Sequence, residues 1–192
     1  MDSNWFADNY IEILGVITSL IYLYFSVKQH IWLWPFGIIS SAFFIYIFYT
    51  NRFYADMSLQ VYYLLISIYG WFHWARGTRR IDSDKLPVTR VRLLTSIILL
   101  IIFILLWILI AILLIHLTDS DVPWGDAFIT AGSIIATWML ARKILEHWII
   151  WIIVDAVSVG MYLYKDMYPT VFLYFIFTVI AVIGFYKWKS DM

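Results

Sequence analysis

Long apolar runs alternate along this chain with short polar ones. Seven runs can be drawn as helices, at roughly 10–27, 32–49, 57–74, 93–117, 127–140, 147–164 and 170–185. Several are a little short of the ~20 residues that cross a bilayer. Snorkelling Lys and Arg and interfacial Trp and Tyr extend such runs. The sixth, HWIIWIIVDAVSVGMYLY, organises the rest. Wound as an α-helix, it sets Trp148, Trp151, Asp155, Ser158 and Tyr162 at steps of three and four, on one stripe. Its other faces are Ile, Val, Ala, Leu and Met. An ionisable residue at membrane depth is costly and reads by default as functional. The plainer alternative is that Asp155 only hydrogen-bonds a neighbouring helix. The third run repeats the device, with Gln60, Tyr63, Ser67, Gly70 and Trp74 on one stripe.

Composition turns these runs into membrane spans. Of the 192 residues 64% are hydrophobic, against about half in a soluble domain. Mean hydropathy is +0.85. Charged residues are 14% and cluster between the runs. The pattern predicts an all-α membrane protein with seven transmembrane helices. A net charge of +0 gives no sign of nucleic acid, and the lack of cysteine removes disulfides and thiolate chemistry. The N-terminus lacks the basic region and cleavage site of a signal peptide, so the first run is expected to be retained. No cofactor is implied.

Lys and Arg set the expected orientation. The segment 76–92 carries Arg76, Arg79, Arg80, Lys85, Arg90 and Arg92. If it is cytoplasmic, so are Lys28, Arg142, Lys143, Lys187 and Lys189, leaving only Arg52 and Lys165 of the 13 basic residues outside. The N-terminus is then outside and the C-terminus inside. Asp2, Asp8, Asp119, Asp121 and Asp126 fall on the outer side, which agrees.

An offset of 114 positions carries one part of the chain onto another. Glu12 falls on Asp126, Lys28 on Arg142, Trp34 on Trp148, Gly70 on Gly184 and Trp74 on Trp188. The expected domains are therefore a first three-helix repeat at 1–75, a basic loop and linker helix at 76–120, and a second repeat at 121–192. The linker helix, nearly pure Leu and Ile, restores the direction of the chain after three crossings. This gives a 3+1+3 arrangement of parallel repeats, whose transporter sites lie near the midplane. The polar lining comes mainly from spans three and six, because the span-seven partners of Gln60, Tyr63 and Ser67 are Tyr174, Phe177 and Ala181. Such a lining suits a flat ring with a few polar substituents, and a deep carboxylate suits a cation.

Other residues have plainer readings. His30, His73, His116 and His147 fall near span ends and read as interfacial, with no metal site expected. Trp32, Trp34, Trp74, Trp138 and Trp188 fit an aromatic belt. Gly70 either permits a close helix contact or touches substrate. Glu146 is expected beside Arg142 in the headgroup zone, as a pair of little energetic worth.

Two motifs point to a family. Tyr69-Gly70-Trp71-Phe72-His73-Trp74 closes span three, and Trp148-x-x-Trp151-x-x-x-Asp155 lies in span six. With the 3+1+3 layout, the chain resembles the PnuC family of bacterial vitamin transporters over nearly its whole length. The resemblance implies a SWEET-like fold and a homotrimer in the inner membrane. It implies uptake of nicotinamide riboside, or in sister groups thiamine or riboflavin, by facilitated diffusion with trapping by a cytoplasmic kinase. Carried onto this chain, the site includes Gln60, Tyr63, Trp148 and Trp151, with positions 67 and 155; Ser158 joins them from its place on the stripe. The nicotinamide riboside pattern tends to have asparagine at 67 and 155, where this chain has Ser67 and Asp155. That departure puts the substrate in question. Nicotinamide riboside and thiamine both carry a cationic ring, which Asp155 suits.

The reading from another class is an intramembrane enzyme. A serine protease needs a GxSG-type nucleophile with a histidine at matching depth, and an aspartyl enzyme needs a second deep carboxylate. The sequence offers neither.

Overall fold

The computed structural model describes residues 4–52, 54–81 and 86–192, with the side chains of 10–52, 56–78 and 86–192. Among these residues there are seven α-helices: α1 Asn4–Val27, α2 Leu33–Thr50, α3 Tyr54–Ile81, α4 Leu93–Leu117, α5 Pro123–Ala141, α6 His147–Tyr164 and α7 Tyr168–Ser190. All seven expected runs are helical. Lys85 and Asp2 lie outside the described residues. Five helices, α1, α2, α4, α6 and α7, hold stretches long and apolar enough to cross a membrane.

The boundaries differ from the expected ones where polar residues continue a helix. α3 runs past Trp74 to Ile81, so the basic segment 76–92 begins as helix rather than loop. Arg76 lies over the Phe72 ring, 5.8 Å from its centroid, one turn earlier on the same helix. α5 starts at Pro123, whose missing N–H costs nothing in a first turn, and Asp126 there complements the helix dipole.

The chain divides into two compact units, Met1–Leu86 and Pro87–Met192. In the first, α1 packs on α2 and α2 on α3; in the second, α4 packs on α5, α5 on α6 and α6 on α7. α4 buries only Leu99 and Ala111, and shows Leu and Ile on its remaining faces as a lipid-facing helix does. Leu99 meets Ile135, Met139 and Ile144 in a core that Phe103, Leu106 and Ile150 extend.

Each unit turns its chain by the same local device. Gln29 after α1 and Lys143 after α5 are left-handed, both at φ 56°. Gln29 N–H donates to Ser26 O at 3.1 Å and His30 N–H to Phe25 O at 3.0 Å; Lys143 N–H donates to Leu140 O at 2.9 Å and Ile144 N–H to Met139 O at 3.0 Å. These are Schellman turns, which satisfy the last carbonyls of a helix. Arg52 after α2 and Asp166 after α6 are left-handed as well, at φ 64° and 56°. Both pairs stand at the 114-residue offset read from the sequence.

A second device recurs with them. The Trp34 ring lies against Gly70, and the Trp148 ring lies against Gly184 through the same three ring atoms. Trp34 meets Trp74 edge-on at 5.4 Å between centroids, and Trp148 meets Trp188 edge-on at 5.9 Å. Of the two readings open for Gly70, the structure takes the close helix contact. Trp34, Trp74 and Trp188 are buried rather than belted at a membrane surface: Trp34 and Trp148 each sit on a glycine of the facing helix, and Trp74 and Trp188, one turn on from that glycine, meet them edge-on.

Candidate functional site

Both sequence stripes are the inward sides of their helices. On α6, Trp148, Asp155 and Ser158 are buried and Trp151 and Tyr162 half-buried, whereas Ile149, Ile153, Ala156 and Gly160 are exposed. On α3, Ser67, Gly70 and Trp74 are buried and Gln60 and Tyr63 half-buried, whereas Val61, Leu65, Ile68 and Phe72 are exposed. The α3 stripe belongs to the first unit and the α6 stripe to the second.

Glycine notches locate α6 within its unit. Trp148 fills the notch at Gly184 of α7, Val154 the notch at Gly132 of α5, and Met161 the notch at Gly125 of α5. Asp155 follows Val154 directly, so the α5 contact also fixes the carboxylate's backbone. Asp155 is the ninth residue of an 18-residue helix, which places it about 13 Å from either end at 1.5 Å per residue. It is 5% exposed. Its carboxylate makes no hydrogen bond or ion pair with a described residue. The alternative that Asp155 merely bonds a neighbouring helix therefore finds no partner among them. A deep carboxylate left ionised without a partner is costly.

The other site residues divide by how far the fold already uses them. Ser158 donates its hydroxyl to Val154 O at 2.9 Å, one turn back on its own helix. Ser67 lies against Gly37 of α2, where a methyl group would stand 2.9 Å from its hydroxyl oxygen. Tyr63 meets Tyr62 at 5.8 Å. Gln60 is half-buried and its amide bonds no described residue. Trp148 is 2% exposed, held in the α6–α7 contact, and its indole N–H has no partner among the described residues.

His147 departs from its expected interfacial place. It is fully buried, with Nδ1 2.7 Å from Ile144 O. A carbonyl only accepts, so Nδ1 carries the proton. The ring packs 4.6 Å from both Trp148 and Trp188. Its counterpart in the first unit is the fully buried Leu33, so a hydrophobic position holds an imidazole in the second. The sequence carried this signal in the offset, Leu33 against His147.

Bilayer-length helices define a polytopic membrane protein, and α6 carries a deep carboxylate with no partner among the described residues. The fold is that of a solved structure described as the crystal structure of the Vitamin B3 transporter PnuC, with a TM-score of 0.74, 19% identity, and cover of 96% of this chain and 82% of that one. Residues 9–190 match the family described as nicotinamide mononucleotide transporter, and the chain belongs to that family. The Escherichia coli (strain K12) nicotinamide riboside transporter PnuC is 27% identical over 206 residues, covering 95% of this chain and 86% of the relative. The riboflavin/roseoflavin transporter RibM of Streptomyces davaonensis is 26% identical over 178 residues, covering 92% and 83%. The resemblance carried by the two sequence motifs thus holds for the family.

Proposed function

We propose that this chain takes up nicotinamide riboside across the bacterial cytoplasmic membrane by facilitated diffusion, with phosphorylation inside the cell trapping the vitamin. The observation that carries the proposal is Asp155, buried halfway along α6 without a partner among the described residues. A pyridinium ring supplies the missing counter-charge, and Trp151, one turn away, supplies a face to stack on. Ser158 and Trp148 complete the α6 stripe, and Gln60, Tyr63 and Ser67 on the α3 stripe of the first unit are the further binding positions that the family resemblance implies. The basic segment after α3 faces the cytoplasm, the N-terminus lies outside and the C-terminus inside. The protein works as a homotrimer of parallel-repeat subunits and performs no chemistry on its substrate.

Thiamine is the second reading, because its thiazolium is also a cation. Riboflavin is supported by the likeness to RibM, but its neutral ring gives Asp155 no charge to meet. The test is uptake into liposomes of purified protein, with labelled nicotinamide riboside as the only gradient and each vitamin as competitor. Downhill entry, blocked best by unlabelled nicotinamide riboside, is expected. Competition by riboflavin alone would overturn the cationic reading. Uphill accumulation under an imposed proton or sodium gradient would overturn facilitated diffusion.

A further inference from the structure

The segment 87–91 forms a strap on the turn between α5 and α6. Thr89 pairs with Ile144 in an isolated parallel β-bridge. Thr89 N–H donates to Lys143 O at 3.0 Å, and Leu145 N–H donates to Thr89 O at 2.9 Å. Val91 N–H then donates to the Glu146 carboxylate, to Oε2 at 2.9 Å. Val88, Ile144 and Leu145 are buried, and Val91 packs on the core around Leu99. Glu146 stands at the N-cap of α6, yet its side chain makes no bond to that helix. Its carboxylate is spent on the strap.

The first unit shows what the strap is not for. Its α1–α2 turn has the same left-handed residue and the same backbone bonds, yet no bridge forms there among the described residues. The counterpart of Glu146 is Trp32, which is 55% exposed. The turn therefore forms without a strap, and what the second unit gains is a fixed start for α6. That helix carries Trp151 and Asp155. A rigid helix acts as a lever: Asp155 lies about 13 Å from the pinned end, so a tilt of about 5° moves it by roughly 1 Å. A displacement of that size is enough to loosen a binding constellation.

We propose that Glu146 is a positioning residue for the vitamin. It ties the start of α6 to the strap and so sets where Trp151 and Asp155 stand, without touching the substrate itself. This rests on the assignment of Asp155 to substrate binding. A charge-assisted bond to a backbone N–H is roughly twice as strong as a neutral one, which suits it to this task.

The test uses this whole chain, which has no cysteine, and reads affinity per folded molecule by calorimetric titration with nicotinamide riboside. Glu146→Ala should weaken binding about fivefold to tenfold, and Glu146→Gln, which keeps an accepting oxygen, about twofold. The decisive variant adds Thr89→Cys and Ile144→Cys to Glu146→Ala, since bridged residues stand within disulfide reach. Oxidation should restore affinity toward the parent, and reduction of the same sample should remove it. Each sample is its own control for the lost isoleucine. Unchanged affinity on closing the disulfide, or parental binding by Glu146→Ala, would overturn the proposal. If the parent binds no vitamin, the Asp155 assignment fails. Amide exchange at Leu145 and Val91 then decides for the strap: faster exchange in Glu146→Ala supports the tie, and equal exchange overturns it.

Discussion

Replacing Gly184 by alanine should destabilise the protein, whereas the same change at Gly160 should not. A methyl group at Gly184 would stand 2.6 Å from Cη2 and Cζ2 of Trp148 and 2.7 Å from Cε2. Ring carbons in contact need about 3.5 Å or more, so the indole must retreat by roughly 1 Å. It has little room to do so, with Trp188 at 5.9 Å and His147 at 4.6 Å between centroids. Overpacking of this kind costs about 1–3 kcal/mol. At Gly160 a methyl group meets nothing within 4 Å. Both sites are helical, so both gain the advantage of alanine over glycine, about 1 kcal/mol. That gain cancels between the variants and leaves the packing cost as their difference. At about 2–4 °C per kcal/mol for a chain of this size, Gly184→Ala should melt roughly 2–12 °C below Gly160→Ala. Thermal unfolding in detergent, followed by intrinsic fluorescence, measures this directly. A melting temperature for Gly184→Ala equal to or above that of Gly160→Ala would refute the seat assigned to Trp148.

Three further outcomes are expected. Asp155→Asn should fold normally but change affinity or preference among nicotinamide riboside, thiamine and riboflavin in thermal-shift titrations; parental binding of all three would make Asp155 structural. Trp151→Ala should weaken vitamin binding more than Trp138→Ala, by roughly 1–3 kcal/mol for a lost stack; the reverse order would move the site off the α6 stripe. Arg90, exposed on the strap, becomes a topology probe as Arg90→Cys, which an impermeant thiol reagent should label only after the cells are opened; labelling in intact cells would invert the proposed orientation.

The sequence made the helices and their inward faces legible because hydrophobicity and a 3.6-residue period are local properties. The stripe at Trp148, Trp151, Asp155 and Ser158 is the buried side of α6 for that reason. The role of Trp34, Trp74 and Trp188 was less legible. An interfacial indole and one seated on a glycine look alike until the facing helix is known. Nor did the turns announce themselves: Gln29 and Lys143 hold the left-handed geometry without glycine, the usual signal. The strap was the least visible feature. It joins Thr89 and Val91 to residues more than fifty positions away, largely through backbone groups that carry no side-chain signature. Glu146, expected beside Arg142 at a surface, bonds Val91 in that contact, and His147 is buried where an interfacial ring was expected.

Within each unit every helix packs on the one before it in the chain. That order has a consequence for biogenesis. A helix released into the bilayer during synthesis finds its partner already there, and no contact between helices of a unit must wait for a distant segment. Loop closure then costs little, and low contact order favours rapid assembly. The first unit can fold before α6 and α7 have been made, so that α4, oily on nearly every face, reaches the membrane as the opening helix of a new bundle rather than as a late addition to an old one.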